Sequence, residues 1–295
     1  MHGPVGVASC GAAAHDPQGS PVHRLALVIT LVLPACGRGP LWFFGDDGPI
    51  DTPRGECDEA DFLFVIDDSP SMQVHQRDLA DNVPAFLDGV ERALASGTDL
   101  HVGVTTTDPY YGNTGACRTL GGLVSATVGA NSSNSACGPF AAGGNYMTED
   151  DPLAEAFACA AKVGTLGDDT ERPLASALAA LDANGDAATC NAGFLRDDAL
   201  LVLVLLTDEG DQSKGDPSGL ARQLATMKGD NEEAVVVVTL ADAGCAVGEP
   251  PCFDWRLKQF TQAFAHGFLG SIDDDYAEQF DAAVDIVADV CGAEG

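Results

Sequence analysis

The run Phe62-Leu63-Phe64-Val65-Ile66 leads straight into Asp67, with Ser69 and Ser71 at the next two alternate positions. Five consecutive bulky apolar residues do not alternate between a core face and a wet face. Such a strand is covered on both sides, as strands of parallel α/β sheets are. At its carboxyl end the chain must turn, and ligands of open α/β sheets bind outside those ends. One carboxylate and two hydroxyls, with no Cys or His among them, form a hard-oxygen donor set. That set suits Mg²⁺, Mn²⁺ or Ca²⁺ rather than zinc.

From Cys57 to Cys291 strand-like and helix-like patterns alternate, which predicts an α/β domain over 57–295 with a doubly wound, mainly parallel, Rossmann-like sheet and helices on both faces. Strands are expected at 61–67, 100–106, 199–206 and 233–240, with a weaker one near 121–125. Leu79, Val83, Phe86, Leu87, Val90 and Leu94 recur at helical spacing, and Pro84 should kink that helix or mark its first turn. Further helices are expected at 151–163, 172–182, 217–228, 254–266 and 274–290. The Gly-, Asn- and Ser-rich stretch 110–150 is an irregular excursion, and a local disulfide between its Cys117 and Cys137 would limit its freedom. Asp182-Ala183-Asn184-Gly185-Asp186 lacks the later glycine and glutamate of a calcium-binding helix–loop–helix and reads as a helix-end turn.

Forty-five acidic against 14 basic residues leave a formal charge of −31. Nucleic acid and anionic lipid surfaces are repelled by such a field, so neither is an expected partner. The charge reads first as solubility; a surface that gathers divalent cations is compatible with it.

Residues 25–35 are an apolar segment too short to span a bilayer. The segment follows His23 and Arg24 and ends at Ala35-Cys36, the layout of a signal peptide. Leu33-Pro34-Ala35-Cys36 resembles the lipobox of bacterial lipoproteins, although Pro34 departs from its pattern; a plain signal peptide cleaved nearby is the alternative. Residues 1–21 are long and weakly charged for a signal, which suits initiation near Val22. The expected organisation is a leader and signal peptide over 1–36, a Gly/Pro/Asp-rich tether over 37–56, and the α/β domain. The location is then extracytoplasmic, as a bacterial membrane-anchored lipoprotein or a secreted protein, with the membrane touched only through lipid on Cys36.

With Cys10 in the leader and Cys36 lipidated, an even set remains: Cys57, Cys117, Cys137, Cys159, Cys190, Cys245, Cys252 and Cys291. An even set in an exported chain implies disulfides, with on the order of a hundred pairings open. Without any Cys-x-x-Cys, neither a redox site nor a zinc knuckle is expected.

A second apolar strand ends in Leu205-Leu206-Thr207-Asp208-Glu209, so two core strands deliver an aspartate to one sheet edge. Between them lies Gly164-Thr165-Leu166-Gly167-Asp168-Asp169-Thr170, a loop that opens a helix. This order resembles the von Willebrand factor type A domain and its metal-ion-dependent adhesion site. In that family an Asp-x-Ser-x-Ser turn, a middle-loop Thr and an Asp after the fourth strand hold one divalent cation, with a coordination position left for a partner's carboxylate. The resemblance implies Asp67, Ser69, Ser71 and Asp208 as metal ligands. Alignment on the helix starting near Pro173 puts Asp168 at the family's Thr position and Thr170 two residues later, and either completes the shell. Glu209, where the family often has Gly, adds a carboxylate at the rim. The resemblance also implies a Cys57–Cys291 disulfide, since domain termini lie close in such a sheet. Cys245 and Cys252 flank a Gly/Pro-rich loop and are expected to pair, which leaves Cys159 with Cys190.

The expected function is a cell-surface protein-binding module, adhesion-like and not an enzyme, in which a divalent cation meets an acidic side chain of a protein ligand. The alternative is a structural or assembly module with a degenerate metal site. A metal-dependent hydrolase is the weaker rival, because no general base or cleft is legible.

Overall fold

The computed structural model describes residues 57–94, 97–242 and 254–292. The leader over 1–36 with Cys36, the tether over 37–56 and the Cys245–Cys252 pair lie outside those residues. Five parallel strands form one sheet: β1 (Glu59–Ile66), β2 (Asp99–Thr106), β3 (Leu200–Thr207), β4 (Val235–Ala241) and β5 (His266–Ser271), in the order β2-β1-β3-β4-β5. The helices are α1 (Gln73–Ala93), α2 (Leu153–Ala160), α3 (Pro173–Leu181), α4 (Pro217–Met227), α5 (Trp255–Thr261) and α6 (Tyr276–Cys291). None of the described helices is long and apolar enough to cross a membrane.

The apolar strands divide their side chains between two cores. Phe62, Phe64 and Ile66 face Val102, Val104, Val202, Val204, Val236 and Val238 under α1, α2 and α6. Leu63 and Val65 join Leu201, Leu203, Leu205 and Val237 under α3, α4 and α5. This double covering is why neither β1 nor β3 alternates polar with apolar residues. Phe86 of α1 anchors the first core, its ring edge-on to Phe62 and Phe64 at 6.1 Å each and 4.7 Å from Phe280 of α6. Pro84 sits inside α1, not in its first turn, because the helix begins at Gln73, ahead of the apolar repeat.

The amino-terminal edge of the sheet is sealed by paired charges. Arg196 Nε donates to Oδ1 of the fully buried Asp61 at 2.8 Å, while its Nη1 lies 2.8 Å from Asp99. Lys228 Nζ donates to the carbonyls of Arg196 and Asp197 at 2.6 and 2.9 Å.

Several expectations are corrected. The helix expected over 254–266 stops at Thr261, and His266–Ser271 forms β5, whose Gly267 and Gly270 hide the strand pattern. Residues 121–125 are not a strand; Val124 N donates to Val104 O at 2.8 Å on the edge of β2, and the chain then leaves. The Asp182 segment is a helix-end turn, with Asn184 N donating to Asp182 Oδ1 at 2.9 Å.

Among the described residues three disulfides are present: Cys57–Cys291, Cys117–Cys190 and Cys137–Cys159. The first is the one that the resemblance implies. The other two replace the Cys117–Cys137 and Cys159–Cys190 pairs. The excursion is stapled to the body at two points, to α2 through Cys159 and to the segment beyond α3 through Cys190. Disulfides persist in oxidising compartments, which agrees with an extracytoplasmic location.

Phe86→Ala is expected to lower the unfolding free energy by about 3–5 kcal/mol with the fold retained. A urea melt monitored by circular dichroism checks this, and a loss below about 1 kcal/mol would refute the anchoring role.

Candidate functional site

The strand order reverses at β1: β2 lies on one side of it and β3 on the other. That boundary is a topological switch point, where the loops leaving the two strands diverge and open a crevice at their carboxyl ends. Asp67 follows β1, and its N–H extends the ladder by donating to Leu206 O at 2.9 Å. Thr207, the last residue of β3, donates its hydroxyl to Asp67 Oδ2 at 2.6 Å, and Ser69 N donates to Oδ1 at 2.7 Å. A short 3₁₀ turn over Pro70–Met72 brings Ser71 Oγ to 3.1 Å from Ser69 Oγ. Ser69 is fully buried, whereas Ser71 opens to solvent.

Asp208 sits one residue beyond β3, half-buried, with a buried Oδ1 that has no hydrogen-bond partner. Its charge reaches Asp67, so the structure brings these two aspartates together at the switch point. Asp211 is otherwise engaged: its Oδ2 lies 2.8 Å from Arg256 Nε, and its Oδ1 accepts from Ser213 at 2.6 Å. That leaves Asp208 as the carboxylate of this loop with a buried oxygen that no protein group engages, while Glu209 beside it is exposed.

The middle loop is laid over the site by contacts that no motif announces. Gln76 of α1, buried, donates to Asp67 O and Gly164 O at 2.9 Å each and accepts from Gly164 N at 3.0 Å. Gly167 N donates to Asp68 O at 2.9 Å. A Cβ at Gly167 would lie 2.7 Å from Asp68 Oδ1, so only glycine permits the approach.

Asp168 and Thr170 both lie exposed on this loop. Asp168 is held by its backbone, its N–H donating to Asp108 Oδ2 at 2.8 Å. The middle-loop residue that turns inward is Glu171, fully buried, accepting a hydrogen bond from Thr107 and leaving Oε1 without a partner. Sequence reasoning missed Glu171 because the resemblance directs attention to a hydroxyl. Its place directly before the Arg172-Pro173 helix start was the available signal.

Burial dominates the electrostatics. Desolvation pushes the Asp67 carboxyl up to about 6 against the hydrogen bonds from Thr207 and Ser69, which lower it. Burial, then the charges of Asp108, Glu171 and Asp67, takes Asp68 to about 9. Burial followed by the charge of Asp67 takes Glu171 to about 8. Asp108 and Glu209 are raised as well, again chiefly by desolvation. Asp68 Oδ1 is a further buried oxygen with no partner. Arg172 tempers Asp108 but does not balance the set.

Orphaned carboxylate oxygens on Glu171 and Asp208, beside two hydroxyls, form a donor chemistry that fits a hard divalent cation. Among the described residues no three His, Cys, Asp or Glu side chains are gathered to hold a metal by themselves. The fit therefore rests on mixed hydroxyl and carboxylate donors. Surface concavities lie along Ala85–Arg92 of α1 and beside Trp255 and Gln259, and no site residue lines either.

The parallel sheet, with an Asp-x-Ser-x-Ser turn after β1 and an aspartate after the neighbouring β3, is the α/β arrangement that the resemblance to von Willebrand factor type A domains implies. No family model matches the chain, and no curated protein matches it. Among solved structures it is similar to proximal thread matrix protein 1 from the mussel byssus with a zinc-occupied MIDAS motif, at 14% identity and a TM-score of 0.45, covering 79% of this chain and 49% of that one. It is also similar to a von Willebrand factor type A structure from Catenulispora acidiphila, at 21% identity and a TM-score of 0.39, covering 79% and 43%. A third is the pilus adhesin SpaC from Lactobacillus rhamnosus GG, at 13% identity and a TM-score of 0.43, covering 80% and 30%. The chain spans under half the length of each of these.

Carboxyls with raised values bind protons in the folded chain where the unfolded chain, titrating near about pH 4, has released them. Their contribution to stability is full below that pH in divalent-free buffer. It is lost as pH rises through about 6 for Asp67, about 8 for Glu171 and about 9 for Asp68. The urea midpoint in chelator is expected to be lower at about pH 8.5 than at about pH 5, and Asp68→Asn is expected to flatten the slope. A midpoint that climbs with pH would contradict this account.

Proposed function

We propose that the protein is an extracytoplasmic, divalent-cation-dependent protein-binding module of the adhesion or assembly type. Mg²⁺, Mn²⁺ or Ca²⁺ would be held by Asp67, Ser69, Ser71 and Asp208, with Glu171 as the middle-loop donor. The observation that carries this reading is the pair of buried oxygens without partners on Glu171 and Asp208, which lie on the loops that surround the Asp67-Ser69-Ser71 turn at the switch point. Unpaired buried carboxylates are costly unless a cation or protons neutralise them.

When bound, the cation supplies a Lewis-acidic coordination position open to a partner's acidic side chain. The protein residues orient that position. Thr207 and the Ser69 N–H fix the Asp67 carboxylate, Gln76 locks α1 to the middle loop, and Gly167 lets the loop close over Asp68. Binding rather than catalysis is the reading, because no group is placed as a general base beside a substrate cleft. The Leu33–Cys36 pattern supports attachment to a bacterial membrane through lipid on Cys36.

A second reading is an assembly module whose site is neutralised by protons. The high values of Asp68 and Glu171 favour it, since both would be neutral at pH 7 without a cation.

Calorimetry with Mg²⁺, Mn²⁺ and Ca²⁺ separates the two. Asp67→Ala and Asp208→Ala are expected to weaken cation binding by more than about a hundredfold, beyond the 10–100-fold typical of outer-shell partners. Glu171→Gln is expected to weaken it at least about tenfold, with Asp168→Ala and Thr170→Ala within about threefold. No cation binding by the unaltered chain would establish the proton-neutralised reading.

A further inference from the structure

Large apolar side chains on the surface are unremarkable when scattered; their segregation is informative. Among the described residues the exposed large hydrophobics are Val74 (47% exposed), Tyr111 (54%), Val128 (41%), Leu166 (51%) and Trp255 (61%). Each lies on a segment leaving the carboxyl end of a strand. Val74 is in the first turn of α1, just past Ser71. Tyr111 follows β2, while Val128 and Leu166 lie in the long crossover from β2 to α3. A Cβ at Gly129 would lie 2.5 Å from Leu166 Cδ1, so Leu166 rests beside the Val128 turn, and its neighbour Gly167 is bonded to Asp68. Trp255 opens α5, and the preceding Asp254 approaches Gly210 in the loop that follows Asp208. In a parallel sheet all these segments share one edge, and it is the edge that carries the site.

The charge on that edge has one prevailing sign. Asp168, Asp169, Glu209, Asp273 and Asp274 are exposed there, against Lys214 and Arg118. A partner carboxylate reaching the site must pass this rim, whose exposed carboxylates repel it over a screening length of about 8–10 Å. A partner that places a carboxylate here must bring its own positive charge.

Resting on the cation-dependent reading above, we propose that the partner is a protein segment in which the acidic residue is flanked by lysine or arginine and by apolar side chains. The bases answer Asp168, Asp169 and Glu209. The apolar groups cover Leu166, Val74 and Trp255, side chains of the kind that anchor protein interfaces once water is excluded. Steering by the acidic rim makes association sensitive to salt.

The test is selection of phage-displayed random dodecapeptides on the protein, in Mn²⁺ and separately in EDTA. The expected result in Mn²⁺ is peptides that share an Asp or Glu with nearby Lys or Arg and apolar residues. A selected peptide should bind about tenfold more weakly when salt is raised from about 0.05 to 0.5 M. It should also bind about tenfold more weakly to Leu166→Ser, Trp255→Ser and the charge-neutralised Asp169→Asn, Asp274→Asn double variant, whose Mn²⁺ affinity stays within about threefold of the parent by calorimetry. Acidic peptides without bases, or no selected peptide at all, would overturn the proposal. Basic, apolar peptides lacking an acid and selected equally in EDTA would support the rim chemistry while refuting the cation reading beneath it.

Discussion

The parallel pairing of β1 with β3 is the constraint on which the rest of the site depends. Ile66 stands opposite Leu206, and the Asp67 N–H carries the ladder one step further to the Leu206 carbonyl. That register puts Thr207 where its hydroxyl can hold the Asp67 carboxylate and sets Asp208 just beyond it. A slip of one residue would exchange the two cores, moving Phe62 and Phe64 away from Phe86 and Phe157. The packing that secures the register is thus the packing that holds the two aspartates together.

The two edges of the sheet handle buried charge in opposite ways. At the amino-terminal edge Asp61 is buried but meets Arg196, and Lys228 satisfies the carbonyls beside it. At the carboxyl-terminal edge Asp67, Asp68, Glu171 and Asp208 lie on neighbouring loops, and among the described residues Asp68 Oδ1, Glu171 Oε1 and Asp208 Oδ1 are buried without a partner. Folding one domain supplies both arrangements, so the imbalance is not a general cost of this sheet. It is local to the switch point, where a ligand that binds only the folded chain would offset it.

The long crossover between β2 and α3 contributes the other half of the surface. Having little regular structure, it depends on side chains and covalent links for its shape. Tyr110 donates its hydroxyl to Val163 O at 2.7 Å, Asn113 donates to the carbonyls of Cys117, Gly122 and Leu123, one disulfide closes the crossover on its own α2, and another ties it to the segment after α3. A loop stapled in this way presents Tyr111, Val128 and Leu166 on a firm base, and loops on firm scaffolds are where binding residues concentrate.

Much of this was legible in the sequence, for a physical reason. Strands covered on both faces must be continuously apolar, so β1, β3 and β4 announce themselves within two residues, together with Asp67 and Asp208 at the ends of β1 and β3, while β2 shows through the alternation of Leu100, Val102 and Val104. A turn motif is local, so Ser69 and Ser71 were legible too. The short β5 was not, because Gly267 and Gly270 remove the side chains that carry a strand signal. Among the described cysteines, pairing was legible at the termini, where the fold itself dictates proximity. Inside the crossover, proximity depends on a path that no pattern encodes, and Cys117 therefore met Cys190 instead of Cys137. The choice among Asp168, Thr170 and Glu171 belongs to the same class. Three neighbouring residues carry suitable oxygens, and the contacts of Gln76, Asp68 and Asp108 with the loop decide which one turns inward. Sequence alone determined four of the sheet's strands and the two aspartates at its edge, since both follow from burial along single strands. The tertiary structure decided Glu171, the staples and the apolar acidic rim, because each depends on segments far apart in the chain meeting in space.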